Sequence, residues 1–457
     1  MLNRFAQLPD RPVTVLIRPP INRWRLYKWY APFGSREPSF GLLYIASYIK
    51  SCGYEVHIID GEFLGERELG KRIHLSKPNI IGITSTTFSF NSASALTNEL
   101  RSQFPNSLIL LGGSHASALP EDSLKKIPAL DGIIVGEGEE TMLEIIQKRD
   151  PYHIYGLMWK KNSDETPVSN PLRDTVTDLD KYNLNWKLLE GFPGKYAPPF
   201  QSKKRNSASL VVSRGCFYDC SFCTATQLRG KKIRFHSPEY VIKIMSELDE
   251  DYGIKDFYFH DDYFPVYQKW MKQFCILLIT LHKQYTWSCA SRVESLSKEI
   301  LILMKKSGCR QIGVGVESGS QKVLDKIFKK ISVIVLKEGL KRISYAGISI
   351  KGYFILDTPG ESLIDHLKTI KLIFKYNFSH VQFNYYVPLP GSDDYYRNGG
   401  SDQFWDRMSL QHCLGYSGIP TQLFWIIEVS LYTIAYLKIV SNRIFNEVFN
   451  FRPKLSS

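Results

Sequence analysis

Ser213-Arg214-Gly215-Cys216-Phe217-Tyr218-Asp219-Cys220-Ser221-Phe222-Cys223 sets three cysteines at Cys-x3-Cys-x2-Cys spacing, directly after the apolar run Ala208 to Val212. That run reads as a buried strand, so the thiolates leave a strand end in one tight loop and can converge on a single centre. Their number is informative. Structural zinc takes four closed protein ligands, whereas a four-iron four-sulfur cluster held by three thiolates keeps one iron open for a substrate or cofactor. A zinc reading needs a fourth ligand, and His236 is the nearest candidate in sequence.

Upstream of this stretch, strand-like and helix-like segments alternate. Val13 to Arg18 is a strand, Gly41 to Ile49 has helical spacing and stops at Gly53, and Tyr54 to Asp60 is a second strand. Ile80 to Thr84, Leu108 to Leu111 and Gly132 to Val135 continue the strands, with a helix over Ser92 to Phe104. The alternation predicts an α/β fold with a doubly wound, Rossmann-like and mostly parallel sheet over residues 1–150. In such a sheet ligands sit beyond the carboxyl ends of the strands. Those ends carry Thr84-Ser85-Thr86-Thr87, Gly112-Gly113-Ser114-His115 and Gly136-Glu137-Gly138-Glu139, where glycines admit a ligand to the backbone and hydroxyls can hydrogen-bond it. His115 reads as a ligand or base, or as a loop histidine with ordinary hydrogen bonds.

Residues 151–207 lose periodicity and read as a linker with short elements. Downstream the alternation resumes over 208–395. Strands are expected at Val211, Phe257 to His260, Ser288 to Ser291, Gln311 to Val316, Gly352 to Leu356 and Val381 to Tyr386, with helices between them. Six βα units predict a partial (β/α)6 barrel with its active site at the strand ends. Residues 396–457 read as a mostly helical extension, with Leu423 to Val440 an amphipathic helix rather than a membrane span.

Composition narrows the function classes. The 457 residues carry a formal charge of +13 and eight cysteines, too few for a disulfide scaffold in a chain this long. No like-charge block is longer than Lys203-Lys204-Arg205, which argues against a dedicated nucleic-acid groove. Met1 to Asp10 lacks the apolar core of a signal peptide, and the clustered thiols suit a reducing, cytoplasmic setting. Cys52, Cys275, Cys289, Cys309 and Cys413 are isolated among apolar or small residues and read as small buried hydrophobes.

With aromatic Phe222 before its last cysteine, the motif resembles the cluster motif of the radical S-adenosylmethionine superfamily. Arg214-Gly215-Cys216, Asp261-Asp262, Arg292-Val293-Glu294, Gly315-Val316-Glu317-Ser318-Gly319-Ser320, Pro359-Gly360-Glu361 and Pro388-Leu389-Pro390-Gly391 follow the order of its cobalamin-dependent branch. Upstream, Gly41 to Ala46 and the two glycine-rich strand ends are similar to that branch's cobalamin-binding domain. The resemblance covers roughly Val13 to Gly391.

The resemblance implies a 4Fe-4S cluster on Cys216, Cys220 and Cys223, with S-adenosylmethionine chelating the open iron and cleaved there to a deoxyadenosyl radical. It implies cofactor contacts at Phe222, Asp261, Asp262, Arg292, Glu317 and Ser318. For cobalamin it implies Thr84, Ser85, Gly112, Gly113, Ser114, Gly136 and Glu137. Blander roles stand beside these: Asp262 as a helix cap, Arg292 paired with Glu294, and Glu317-Ser318 as rim hydrogen bonds.

Two departures from the family pattern stand out. Asp357 occupies a position where the family often has glycine, and Asp60 to Gly65 lacks the Asp-x-His-x-x-Gly motif whose histidine ligates cobalt elsewhere. The activity implied is methyl transfer to an unactivated carbon or phosphorus of a small molecule. An oxidoreductase or cyclase of the same architecture is the alternative, and a non-catalytic cluster- or corrinoid-binding redox sensor the reading from another class. An electron donor such as flavodoxin or ferredoxin and peripheral membrane contact through the tail are the expected partners.

Overall fold

The computed structural model describes residues 1–24, 35–161, 166–196, 206–264 and 267–400, with single positions 417, 426, 430, 431, 433 and 437 beyond them. Most of the basic aromatic stretch Trp24 to Tyr30 and most of the expected helix Leu423 to Val440 lie outside the described residues. The chain divides into two compact units, Met1–Tyr258 with Pro388–Ser409, and Phe259–Val387 with Leu410–Ser457.

The first unit holds a seven-stranded sheet of β1 (Thr14–Arg18), β2 (Val56–Asp60), β3 (Ile80–Thr84), β4 (Leu108–Gly112), β5 (Gly132–Ile134), β6 (Leu157–Trp159) and β7 (Val168–Ser169). Its order is β2-β1-β3-β4-β5-β6-β7. The first five strands pair in parallel. β1, β3 and β4 are buried at four of five positions, as expected of strands covered on both faces. The order reverses between β1 and β3, and that switch point is where a doubly wound sheet opens a ligand crevice.

Helix Phe40–Ser51 lays Leu42, Ala46 and Ile49 on the core that Met142, Ile145 and Ile146 reach from helix Glu139–Ile146. Its end is set by Gly53, whose φ of +85° leaves the helical region. The stretch expected as a linker does more than connect. β6 adds antiparallel to β5 and brings fully buried Trp159 into the same core. A three-residue strand carries no periodicity signal, so it escapes a pattern reading.

The six strands expected downstream are present. β8 (Ser207–Leu210) and nearly all of β11 (Asp256–Phe259) belong to the first unit, as does the short antiparallel pair β9 (Ser213–Arg214) and β10 (Arg234–Phe235). The second unit holds β12 (Thr286–Ser291), β13 (Cys309–Glu317), β14 (Ser349–Leu356) and β15 (Phe378–Tyr385), paired in parallel in chain order. Helices Lys298–Lys306, Val333–Tyr345 and Leu363–Lys375 make the crossovers. Ser297 and Ser332 cap the first two, and Ser362 forms a capping box with Asp365 on the third. Phe259, Phe264, Phe274 and Trp287 pack largely edge to face, with ring centroids 4.8–6.4 Å apart, and anchor this unit's core.

Candidate active site

The cysteine loop is built from backbone carbonyls and glycines. Gly215 sits at φ +98°, and a Cβ there would lie 2.5 Å from the carbonyl oxygen of Lys232 and 3.0 Å from that of Gly230. Across this close approach Cys216 N–H donates to Gly230 O at 3.1 Å. Thr226 Oγ1 donates to Tyr218 O at 2.7 Å and lies 3.3 Å from Cys216 O, while Cys223 N–H closes a turn onto Cys220 O at 3.0 Å. Buried Ser221 donates from Oγ to Asp394 Oδ2 at 2.9 Å, and Asp394 N–H donates back to Ser221 O at 3.0 Å. Neither Ser221 nor Asp394 stood out in the sequence, where only the Pro388-Leu389-Pro390-Gly391 segment just before Asp394 drew attention.

Cys216 is buried, Cys220 half-buried and Cys223 exposed. A carbonyl-locked loop presenting three soft donors fits a cluster whose separate irons each take one thiolate. Mononuclear zinc needs a fourth ligand, all four lying about 2.3 Å or less from one ion. Among the described residues no three His, Cys, Asp or Glu side chains gather around one such point. His236, the proposed fourth zinc ligand, has both ring nitrogens engaged, Nε2 with Tyr44 Oη at 2.9 Å and Nδ1 with Asp180 Oδ1 at 3.0 Å. Its ring stacks on Tyr240 at 4.4 Å, and burial lowers its pKa against the pull of Asp180.

At the ligand end of the first sheet, β3 and β4 are stitched together. Ser85 N–H donates to Gly112 O at 2.8 Å, Ser85 Oγ to the same oxygen at 3.2 Å, and His115 N–H to Ser85 O at 3.2 Å. Gly113 permits this contact. At φ +93°, its Cβ would fall 2.5 Å from Ser85 O and 2.7 Å from Thr84 Oγ1. Ser114 is exposed at the start of a short helix, and Gly136 (φ +84°) has open space where a side chain would project. These positions are compatible with a large planar ligand lying on backbone.

Glu137 is placed differently from a simple ligand contact: both its oxygens accept hydrogen bonds from Arg234. The loop Asp60 to Gly65 is closed on itself, Asp60 accepting from Glu62 N–H at 3.1 Å and Glu62 pairing with Arg18 and Arg23 at 2.5 and 2.6 Å.

His115 takes the ordinary role. It is 1% exposed, its Nδ1 lies 3.2 Å from Thr87 Oγ1, and its ring centroid is 4.1 Å from that of Phe90. Burial, aided by the charge of Lys126, pushes its pKa down to about 4. The unfolded chain takes up this proton near pH 6.5, before the folded one does. Stability is therefore full above pH 6.5 and is lost as pH falls toward 4, by up to about 3 kcal/mol. Urea unfolding between pH 7 and 4 is expected to show that slope in the wild type and a shallower one in His115→Gln.

In the second unit, Asp261, two residues past the last residue of β11, is buried and Asp262 is exposed. The helix after them, Gln268–Thr280, has Tyr267 at its N-cap, so Asp262 does not cap it. Arg292 donates to Glu294 Oε1 at 2.8 Å and to Lys329 O at 2.6 Å. Glu317, at φ +58°, accepts from buried Lys329 Nζ at 2.6 Å. Ser318 is wholly buried, 3.3 Å from Thr369 Oγ1 on helix Leu363–Lys375.

Asp357 sits at φ +64°, a left-handed conformation that glycine adopts freely and that Asp tolerates better than most residues. Its Oδ1 accepts from Ser417 N–H at 2.9 Å. Nearby Glu361 is buried and accepts from Thr358 N–H at 3.1 Å; burial pushes its carboxyl up to about 8.

Residues 30–146 match the B12 binding domain family, and residues 210–373 match the Radical SAM superfamily. An uncharacterised methyltransferase of Pyrococcus horikoshii is 30% identical over 369 residues, covering 79% of this chain and 78% of that protein. The chain belongs to the cobalamin-dependent radical S-adenosylmethionine enzymes. A second relative, the anaerobic magnesium-protoporphyrin IX monomethyl ester cyclase of Rubrivivax gelatinosus, is 25% identical over 388 residues, 82% of this chain and 69% of that one. Among solved structures, the cobalamin-dependent S-adenosylmethionine radical enzyme OxsB with aqua-cobalamin and S-adenosylmethionine superposes with a TM-score of 0.63 at 21% identity. That match covers 79% of this chain and 52% of OxsB, so the chain spans about half the length of that enzyme. The fold is thus α/β, a B12-binding Rossmann-like domain followed by a radical S-adenosylmethionine domain of partial-barrel type, and the family's cofactors are a 4Fe-4S cluster, S-adenosylmethionine and cobalamin.

Proposed function

We propose that the protein methylates an unreactive carbon or phosphorus of a small molecule, with S-adenosylmethionine as the methyl source and cobalamin as the carrier. The observation that carries this reading is the joint presence of a three-thiolate loop locked by backbone carbonyls and a glycine-opened ligand end on a doubly wound sheet. The methyltransferase of Pyrococcus horikoshii supports methyl transfer over other outcomes of the same chemistry.

Bound together, the cluster and S-adenosylmethionine supply a carbon radical, and cobalamin supplies a transferable methyl group. The chain's own residues hold and orient these groups. Cys216, Cys220 and Cys223 hold three irons. Asp261 and Asp262 accept from the ammonium of S-adenosylmethionine, with Phe222 beside the last thiolate. Thr84, Ser85, Gly112, Gly113, Ser114 and Gly136 line the corrinoid side. Arg292, Glu317 and Ser318 act one step back, since Glu294, Lys329 and Thr369 already engage them. The net charge of +13 suits docking of an acidic one-electron carrier of the flavodoxin or ferredoxin kind. No helix among the described residues is long and apolar enough to cross a membrane.

The cyclase of Rubrivivax gelatinosus favours a second reading, oxidation or ring closure on the same scaffold. Anaerobic incubation of the reconstituted enzyme with a small-molecule extract and methyl-deuterated S-adenosylmethionine separates the two. A product gaining one labelled methyl group is expected. A product losing hydrogen or gaining oxygen without the label sinks methyl transfer in favour of the second reading.

A further inference from the structure

Two arginines face each other across the mouth of the cysteine loop. β9 and β10 pair antiparallel with Arg214 directly opposite Arg234, and the whole loop with its three cysteines runs between them. Like charges opposite one another across a strand pair are destabilising, more so when both are buried. Here the Arg214 side chain is 11% exposed and that of Arg234 2%. Something must neutralise them.

The neutralising groups come from the turn after β5 and from the first residue of the helix Glu139–Ile146 that follows it. Glu137 takes a two-pronged contact from Arg234, Nη2 to Oε1 at 2.6 Å and Nη1 to Oε2 at 3.0 Å, and its Oε2 lies 3.3 Å from Arg214 Nη1. Glu139 accepts from Arg214 Nη2 at 2.7 Å. The four charges cancel. Burial works against an ionised Glu137, yet the Arg234 fork and the two guanidinium charges hold its carboxyl below the ordinary carboxylate range. Tyr44, on helix Phe40–Ser51, completes the grip: its ring lies 4.7 Å from the Arg214 guanidinium carbon, and its hydroxyl donates to Val211 O at 2.8 Å, two residues before the β9 pair begins. The turn after β5 and the helix start that follows it, at the ligand end of the B12-binding domain, therefore hold both the entry and the exit of the cluster loop.

We propose that Glu137 and Glu139 are positioning residues that, through Arg214 and Arg234, fix the direction in which the cluster presents its open iron. A charge-matched fork is suited to this task because planar guanidinium–carboxylate contacts define an orientation as well as a distance. The proposal rests on the family's cluster chemistry and goes beyond it in assigning the loop's aim to the other domain's turn.

The test uses full-length protein reconstituted with iron, sulfide and hydroxocobalamin. It compares wild type with Glu137→Gln, with Arg214→Lys, which keeps the charge and loses the guanidinium's separate contacts to Glu137 and Glu139, and with Glu140→Gln as a control on the helix that begins at Glu139. Iron content, thermal midpoint, the electron paramagnetic resonance signal of the dithionite-reduced cluster with and without S-adenosylmethionine, and deoxyadenosine formation are read together. Both clamp variants are expected to keep their iron. Their S-adenosylmethionine-induced spectral change should shrink and deoxyadenosine formation should fall roughly 100-fold, the scale of a reacting group misplaced by about 1 Å. The control should match wild type. Unchanged spectra and rates in both variants overturn the proposal, as does a loss of iron and thermal midpoint in Arg214→Lys that parallels the loss of activity. A wild-type protein that forms no deoxyadenosine would sink the radical reading itself, whereas an active wild type with indistinguishable variants sinks the clamp alone.

Discussion

Cys220→Ala is expected to reduce deoxyadenosine formation to background and to lower the iron that the protein takes up. In the proposed function the loop offers three thiolates, and each would hold a separate iron, so losing one would leave a corner unheld. Cys220 is only half-buried, and the loop around it is kept in shape by Gly215, Thr226 and Ser221 rather than by its own packing. Its removal should therefore leave the unfolding midpoint nearly unchanged. Cys275 supplies the contrast. It is fully buried on helix Gln268–Thr280, and burial pushes its thiol up to about 12, so it is not a thiolate at working pH. Cys275→Ala should cost about 1 kcal/mol of packing and leave iron content intact. Iron analysis with deoxyadenosine quantitation on the two variants checks this; full iron and activity in Cys220→Ala would remove the loop from the chemistry.

Gly113→Ala is expected to destabilise the first domain by about 3 kcal/mol and to abolish corrinoid binding at micromolar concentration. Two costs combine. A non-glycine residue at φ +93° is strained by roughly 1–3 kcal/mol. The added methyl would also press on the backbone of Ser85 at 2.5 and 2.8 Å, which cannot swing aside because Ser85 N–H is bound to Gly112 O. Relief means separating the ends of β3 and β4, next to the switch point where the ligand crevice opens. Gly136→Ala has a similar positive φ and open space around it, so it should pay the strain alone. Thermal unfolding and a hydroxocobalamin titration on both variants decide the matter. Equal effects at the two glycines would show that the close approach of Gly113 to Ser85 does not matter.

Much of the fold was legible because its signals are local. Ile80 to Thr84 reads as a buried strand from five residues, and the structure places β3 over the same span. Gly53 ends its helix by a conformation written in one residue. Signals that need partners were not legible. β6 is three residues long and is a strand because β5 and β7 lie beside it.

The clamp shows the same limit at the site. Glu137 read as a ligand contact because it follows a strand end, and Arg214 as a station of the cysteine motif. Their pairing joins residues about 75 to 97 positions apart, which one sequence cannot reveal. Arg292 and Glu317 could be named from their motifs, but not the way Lys329 links them, its carbonyl bound to Arg292 and its ammonium to Glu317. The departure at Asp357 becomes intelligible only with its φ of +64°, the conformation that makes glycine the easy choice there.

In the proposed function one chain brings a radical-generating cluster and a methyl-carrying corrinoid to bear on the same methyl donor. The most direct measurement is anaerobic incubation of the reconstituted protein with methyl-deuterated S-adenosylmethionine and a one-electron reductant, followed by mass spectrometry of the nucleosides and of the protein-bound corrinoid. Deoxyadenosine is expected together with a deuterated methyl group on the corrinoid, both lost in Cys220→Ala and only the second lost in Gly113→Ala. Deoxyadenosine formed by a protein that binds no corrinoid, or binds it and never acquires the label, would rule out cobalamin-borne methyl transfer.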